Sequence, residues 1–164
     1  MNVMSILYEQ TEKFNTISGA INETTEQAFT EQFEYISEEF FELKQALVDN
    51  DLSEVLDGCV DVIITAFGML QKLESLGVNV QDAATATGEN NLSKYTPSPA
   101  IAHQTVEKLL IEKGIRAEAK FNEEHNCYVI RNKTSGKVCK PLDFVSNALS
   151  VFITDEVKEN YDAR

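Results

Sequence analysis

Three glutamates lie within one helical turn of each other in a segment that otherwise has apolar helical spacing. Glu38 and Glu39 both stand within one turn of Glu42, so the three share one side of a helix. Like charges at this spacing destabilise a helix unless a positive charge lies between them. Carboxylate oxygens are the ligands that hard cations such as Mg²⁺ prefer. The spacing therefore indicates one half of an all-oxygen cation site.

A second acidic stripe follows in the next predicted helix. Glu54 falls about 20° and Asp57 about 40° from Asp61 around the helix axis, because each residue advances by roughly 100°. Asp61 opens a strongly apolar run, residues 62–67, where an unpaired charge would cost several kcal/mol. A bound metal would remove that cost. An acidic helix face is also commonly a solvated surface, so the spacing alone leaves both interpretations open.

The predicted elements bring the two stripes together. A helix over residues 25–48 carries the first stripe beside an apolar stripe, and a helix over residues 52–76 that ends at Gly77 carries the second. Asp51 or Ser53 can cap the second of these helices. Because only residues 49–51 connect them, the two helices should be antiparallel neighbours. The bulky aromatic residues of both helices are predicted to build the core: Phe33, Phe40, Phe41 and Phe67.

The rest of the chain is predicted to be helical with one hairpin. Helices are predicted over residues 3–18, 80–87, 99–113 and 143–149, with a helix-breaking segment over 90–95. Extended segments are predicted over 115–121 and 127–131, after which the chain returns through 137–140. The C-terminus is predicted to be frayed. A chain of 164 residues with 43% hydrophobic residues is long enough for one packed domain. We expect a helical core over residues 1–95 and, over 96–164, a helix and hairpin appendage of the same domain.

The charge distribution narrows the class of ligand. Residues 1–91 carry 17 acidic and 3 basic side chains, whereas residues 92–140 carry 9 basic and 5 acidic ones. A local positive charge opposite an acidic metal site suits a polyphosphate. An overall net charge of −13 gives no support to binding of a nucleic acid polymer. No apolar run approaches the roughly 18 residues of a membrane helix, and three cysteines without CxxC spacing suggest a reducing cytoplasm.

The two acidic stretches resemble the all-α nucleoside triphosphate pyrophosphohydrolases of the MazG-like superfamily, which includes phosphoribosyl-ATP pyrophosphohydrolases and dimeric dUTPases. That superfamily carries ExxE on one helix and ExxD on the next, and binds Mg²⁺ to cleave a nucleotide between its α and β phosphates. Glu39 and Glu42 match ExxE, and Asp61 matches the last position of ExxD. The resemblance implies a mainly α fold, an antiparallel helical bundle with a small C-terminal β-hairpin.

One position of the motif differs in this chain. Aligning Asp61 puts Gly58 where the superfamily has Glu, although residues 54–57 also spell ExxD and could be aligned instead. The apolar run after Asp61 favours the first alignment. Asp57 or Glu54, one or two turns away on the same stripe, would then supply the missing carboxylate.

A narrower resemblance, to phage-type MazG-like proteins, extends over roughly residues 30–145. Residues 91–94, Asn-Leu-Ser-Lys, are similar to an Asn-x-Ser-Lys segment of that group, and residues 136–141 to its terminal hairpin. Asn15 stands where this resemblance leads us to expect His. The resemblance implies that Lys94 contacts substrate phosphate and that Asn91 donates to a phosphate or sugar oxygen. Lys137 and Lys140 could face phosphate too, or could only protect a strand edge from pairing.

The resemblance also implies a mechanism. Glu39, Glu42, Asp57 and Asp61 would hold Mg²⁺, or alternatively Mn²⁺, against the phosphates, and Glu38 would be the general base for the attacking water. The expected reaction is hydrolysis of a (deoxy)nucleoside triphosphate to the monophosphate and pyrophosphate. Two alternatives remain open: phosphoribosyl-ATP as substrate, or a non-catalytic acidic helical module that binds a basic protein or mimics DNA. Broad apolar stripes on long helices predict a homodimer or homotetramer.

Overall fold

The computed structural model describes residues 3–163, and the fold is mainly α with one small hairpin, as the sequence predicts. The α-helices span Val3–Ser18 (α1), Glu26–Asp49 (α2), Leu52–Ser75 (α3), Val80–Leu92 (α4), Pro99–Lys113 (α5) and Asp155–Asp162 (α6). The strands Ala117–Asn122 (β1) and Cys127–Asn132 (β2) pair antiparallel, and 3₁₀ turns cover Ala20–Asn22 and Leu149–Phe152. No helix in residues 3–163 is long and apolar enough to cross a membrane.

The chain forms two compact units. The first comprises Met1–Val80 together with Ser150–Arg164, and the second comprises Gln81–Leu149. The first unit is built on the α2–α3 hairpin, with α1 and α6 packed onto it. The second unit contains α5 and the β1–β2 hairpin.

Local capping fixes the α2–α3 hairpin. The Thr25 hydroxyl accepts a hydrogen bond from the Ala28 amide at 3.1 Å and so begins α2. Asn50, with φ of 56°, ends α2 in the left-handed conformation that Asn tolerates. The Asp51 carboxylate then accepts from the amides of Ser53 and Glu54, so Asp51 rather than Ser53 is the cap of α3. This two-residue connection makes the helices antiparallel neighbours.

Two glycines of α3 bring α2 unusually close. A Cβ atom at Gly58 would lie 3.0 Å from the Leu43 Cβ and 3.1 Å from the Leu43 Cα. A Cβ atom at Gly68 would lie 2.7 Å from the Gln32 Nε2. These two contacts fix the register of the hairpin, with Leu43 opposite Gly58 and Gln32 opposite Gly68. We call the line of contact between these two points the seam.

Aromatic contacts and the C-terminal helix complete the first unit. The Tyr8 ring of α1 packs edge-on against Phe67 of α3, with ring centroids 5.0 Å apart. The C-terminal residues that were predicted to fray form α6 instead, which the Thr154 hydroxyl caps and which Tyr161 anchors against Phe29 at 5.7 Å. The prediction was wrong because α6 is short and mostly polar, and Val157 is its one buried side chain within the described residues.

The core prediction for the α2 aromatics was also wrong. Phe33, Phe40 and Phe41 are 62%, 56% and 64% exposed, because the seam occupies the other flank of α2. Phe33, Phe40 and Leu47, seven residues apart, instead form an exposed apolar row. We call these three residues the α2 outer row. Of the four aromatics predicted to build the core, only Phe67 is partly buried.

In the second unit, α5 covers one face of the hairpin. Ala102 of α5 is fully buried against Ala117 and Ile130 of the two strands. Ser98 caps α5, and Gly114, with φ of 63°, ends it at the predicted residue. On the side away from β1, β2 accepts the short segment around Val138, which bridges Arg131, so the chain returns through residues 137–140 as predicted.

Two helix predictions in the second unit need correction. The helix predicted over residues 80–87 continues to Leu92, because the Asn90 side chain donates to the Val145 carbonyl at 2.6 Å instead of breaking the helix. The helix predicted over 143–149 is absent from the described chain, where this stretch is irregular and leads into the turn Leu149–Phe152.

Candidate active site

Glu39 and Asp61 lie on the seam between its two close contacts. Glu39 precedes Leu43 by one turn of α2, and Asp61 follows Gly58 by one turn of α3. Because the helices are antiparallel and Leu43 packs against Gly58, the two carboxylates come from facing positions. Both side chains are partly buried. The structure thus brings together these two residues of the predicted metal site.

Other carboxylates of the predicted site act electrostatically on Glu39 and Asp61. Burial raises the pKa of the Glu39 carboxyl, and repulsion by Asp61, then by Glu42, Glu38 and Asp57, raises it further. Burial also raises the pKa of Asp61, with a further contribution from Asp57. Carboxylates of both helices are therefore close enough to repel one another. The outer three, Glu38, Glu42 and Asp57, are exposed.

Among residues 3–163, no cationic side chain compensates this charge. Within residues 3–163, no Lys, Arg or His forms an ion pair with Glu39 or Asp61, and no hydrogen-bond donor reaches either carboxylate. In the same part of the chain, no group of three or more His, Cys, Asp and Glu side chains stands in position to hold a metal ion. The donor set still fits a hard divalent cation in its chemistry, since it consists of carboxylate oxygens from two helices with uncompensated charge.

Gly58 has no room for the carboxylate that the superfamily motif places there. Its Cβ contact would be with the backbone and Cβ of Leu43, which can yield only if the helices separate. Asp57 adds to the pKa shifts of both Glu39 and Asp61, whereas Glu54 adds to neither. The geometry therefore favours Asp57 over Glu54 as the replacement.

A cavity of about 390 Å³ opens in the first unit beside the seam, among α1, the turn Ala20–Asn22, α2 and α3. Tyr35 and Thr65 line it, and each lies one turn from a seam carboxylate, Glu39 and Asp61 respectively. The buried Gln32 amide, which donates to the Thr65 carbonyl at 2.9 Å, forms part of the wall. A cavity of this volume, with polar side chains on its wall, suits a small organic ligand.

Buried polar side chains around this cavity were not predicted from the sequence. Asn15, also on the cavity wall, donates to the Gln71 side chain at 2.8 Å, and Gln71 donates to the Tyr8 carbonyl at 3.2 Å. Gln71 is only 2% exposed. One sequence signal could have indicated Gln32, which stands two turns from Glu39 on the same helix face.

Lys72 is a second polar residue that the sequence analysis missed. It lines the cavity, is 5% exposed, and its ammonium donates to the carbonyls of Ala20 at 3.0 Å and Glu23 at 3.3 Å. Ser75, one turn further along α3, donates to the Ile21 carbonyl at 2.8 Å. α3 therefore holds the connection between α1 and α2 through three backbone carbonyls.

The predicted phosphate-binding residues lie in the second unit. The Lys94 ammonium donates to the Asn91 side-chain oxygen at 2.6 Å, so the two residues form one polar pair at the end of α4. Lys137 is exposed, and its carbonyl accepts from Asn132. The Lys140 ammonium lies 4.4 Å from the centre of the Phe144 ring, a cation–π contact.

A comparison with known proteins bears on the first unit. Residues 6–85 match the family model of phosphoribosyl-ATP pyrophosphohydrolase. The match begins within α1, spans α2 and α3 and ends within α4, and so includes all the carboxylates of the seam. Neither a curated protein sequence nor a solved structure is significantly similar to the chain.

Proposed function

Because residues 6–85 place the chain in the all-α nucleoside triphosphate pyrophosphohydrolase superfamily, as the resemblance predicted, we propose that it is a Mg²⁺-dependent nucleoside triphosphate pyrophosphohydrolase. It hydrolyses a (deoxy)nucleoside triphosphate to the monophosphate and pyrophosphate. The observation that carries this proposal is the pair of facing, uncompensated carboxylates of Glu39 and Asp61 on the seam.

Four carboxylates hold the cation in this proposal. Glu39 and Asp61 are fixed by the packing of the seam, and Glu42 and Asp57 are exposed and free to rotate toward them. Binding a cation removes the repulsion that these groups exert on one another, so the site gains stability when it is filled. Mn²⁺ has the same preference for oxygen ligands and is the alternative metal.

The reaction adds water across the anhydride between the α and β phosphates. When bound, the divalent cation supplies neutralising charge for the phosphate oxygens and helps to orient the water. Glu38 is exposed and adjacent to Glu39. It accepts a proton from the water as the water oxygen bonds to phosphorus. The bond from that phosphorus to the bridging oxygen breaks, and the monophosphate and pyrophosphate separate. The resemblance assigns the phosphate contacts of the substrate to Asn91 and Lys94.

The cavity beside the seam holds the nucleoside part of the substrate. Tyr35 and Gln32 on its wall offer a ring surface and an amide to a heterocyclic base. Because Tyr35 and Thr65 are each one turn from a seam carboxylate, a base in the cavity leaves the phosphates near Glu39 and Asp61.

Phosphoribosyl-ATP is the second candidate substrate. The matching family model carries that name, which favours it specifically. The two substrates share an adenine or other base, a ribose and a phosphoric anhydride, and the same site chemistry serves both. The match also favours an enzyme over the non-catalytic acidic module.

A substrate panel tests the proposal. Purified protein with Mg²⁺ is incubated with each of the common ribo- and deoxyribonucleoside triphosphates and with phosphoribosyl-ATP, and pyrophosphate and orthophosphate are measured separately. We expect pyrophosphate from at least one triphosphate. Release of orthophosphate alone would overturn the reaction class, and turnover of phosphoribosyl-ATP alone would select the second candidate. No turnover, together with no Mg²⁺-dependent shift in melting temperature, would support the acidic module.

We also propose that the active form is a homodimer or homotetramer. The α2 outer row, Phe33, Phe40 and Leu47, is at least 56% exposed along its whole length. An apolar row of this kind along a helix is typical of helix-to-helix association. A second copy of the α2–α3 hairpin supplies an apolar face of the same shape.

A further inference from the structure

The outer edge of β1 presents unpaired backbone groups in the second unit. In β2, the Tyr128 amide donates to Thr96, and the Ile130 carbonyl accepts from Cys139, so these even-numbered residues turn their backbone groups away from β1. In the antiparallel register, Phe121 lies opposite Tyr128 and Ala119 lies opposite Ile130. Directly opposite residues share the same hydrogen-bonding direction, so the backbone groups of Phe121 and Ala119 point away from β2. Ala117, Ala119 and Phe121 therefore offer their amides and carbonyls at the free edge. Within the described residues of Gln81–Leu149, no backbone group pairs with that edge.

The side chains along this edge are charged in a self-complementary order. Glu118 and Lys120 project from the face of β1 opposite to Ala117 and Ala119, which pack toward α5. Lys120 forms an ion pair with Glu118 at 3.1 Å, and Lys133 lies 4.0 Å from the other Glu118 oxygen. The Glu118 and Lys120 side chains remain 39% and 75% exposed. The edge thus carries one negative and one positive side chain, placed symmetrically about Ala119.

A second copy of β1 fits this edge in one antiparallel register. With Ala119 opposite Ala119, Glu118 of each copy stands opposite Lys120 of the other, in non-hydrogen-bonded positions where cross-strand side chains come closest. Shifting the register by two residues either way puts Glu118 opposite Glu118 or Lys120 opposite Lys120. Charge therefore selects a single pairing, and the charged edge resists the others.

We infer that β1 is a self-association edge, at which two copies of the chain join their hairpins into one four-stranded antiparallel sheet centred on Ala119. This contact is separate from the α2 outer row, and it does not depend on the proposed enzymatic function. Where both contacts form, a dimer made through one is joined into a larger assembly by the other.

A charge-swap series tests the inference. Molar mass is measured by light scattering across a concentration series for wild type, Glu118→Lys, Lys120→Glu and the double exchange. Each single exchange places like charges opposite one another twice, so we expect a roughly tenfold or greater weakening of association and a lower mass at a given concentration. The double exchange restores opposite charges and should restore the wild-type mass. Lys108→Glu, an exposed α5 position, controls for the change in net charge.

Mixing the two single variants gives the sharpest readout. An equimolar mixture of Glu118→Lys and Lys120→Glu is complementary across the edge, so the mixture should regain the mass that each variant loses alone. Circular dichroism melting verifies that each variant is folded. Single variants with the wild-type mass, or a mixture and a double exchange that stay dissociated, would overturn the inference.

Discussion

At the scale of single residues, the site is a place where folding and chemistry oppose each other. Glu39 and Asp61 occupy seam positions that packing alone would give to apolar or small residues. Burial raises the pKa of both, repulsion by Asp61 adds to the shift at Glu39, and repulsion by Asp57 adds to the shift at Asp61. Such a pair costs stability, and the proposed metal site would explain why negative charge is kept there.

Neutralising either seam carboxylate should separate stability from activity. For Glu39→Gln and Asp61→Asn we expect pyrophosphate release to fall by about 100-fold or more, because each change removes a proposed metal ligand. Without metal, each variant should melt roughly 1–2 °C higher, because removing one like-charged neighbour is worth about 0.5 kcal/mol. Steady-state kinetics and thermal melts measure the two effects. Glu34→Gln, an exposed change on the same helix, should leave pyrophosphate release unchanged.

The raised pKa values also set a pH dependence of the metal-free protein. Both groups bind protons more tightly in the folded chain than at their ordinary pKa values, 4.5 for Glu39 and 3.8 for Asp61. Protonation of Glu39 and Asp61 therefore stabilises the folded chain fully when the pH is below their ordinary pKa values. This stabilisation is lost as the pH rises through their raised pKa values in the folded chain. Urea unfolding from about pH 4 to 7 should show this decline in wild type and a smaller one in the Glu39→Gln, Asp61→Asn double variant. Equal slopes for the two proteins would contradict it.

At the scale of elements, the α2–α3 seam depends on a glycine that also alters the expected motif. A methyl group at Gly58 meets Leu43 at 3.0 Å, whereas one at Gly88 of α4 has no atom within 4 Å. We expect Gly88→Ala to stabilise by up to about 1 kcal/mol through helix propensity. Gly58→Ala should be less stable than Gly88→Ala by about 1–3 kcal/mol, because the helices must separate. Chemical denaturation of both variants measures this difference, and equal stabilities would contradict the close contact.

The sequence predicted the elements whose ends have local signals. Asp51 begins α3, Pro99 begins α5 and Gly114 ends it, because capping hydrogen bonds and left-handed backbone depend on the residue itself. α4 and α6 were mispredicted because distant contacts decide them: Asn90 bonds to a carbonyl 55 residues away, and Val157 of α6 packs near Gly77. Residue spacing along the sequence does not indicate such long-range contacts.

The same division holds for the site. The facing positions of Glu39 and Asp61 follow from helical period and a short connection, so spacing predicted them. The buried polar residues Gln71 and Lys72 near the cavity could not be predicted, because they bond to backbone carbonyls outside their own helix. Every residue type has a backbone carbonyl, so the sequence does not indicate which carbonyl accepts such a hydrogen bond.

At the scale of the whole molecule, many large apolar side chains within residues 3–163 are exposed, including the α2 outer row. Wild type should have a molar mass of two or four times 18.4 kDa at micromolar concentration. Phe40→Lys places a charge in the middle of the α2 outer row, so its mass should fall while its helical circular dichroism is retained. Light scattering of both proteins decides the matter, and a monomeric wild type would contradict the proposed assembly.

The buried ammonium of Lys72 has a consequence for how the first unit opens. Lys72 of α3 holds the link between α1 and α2 through the carbonyls of Ala20 and Glu23. That link can therefore detach only when the last turns of α3 move and these hydrogen bonds break. Amide deuterium uptake in residues 20–23 should therefore keep pace with uptake in α3, unlike that of an ordinary surface turn. An amine-acylating reagent should likewise label Lys72 only in unfolded chains, which makes this one side chain a chemical reporter of the fold.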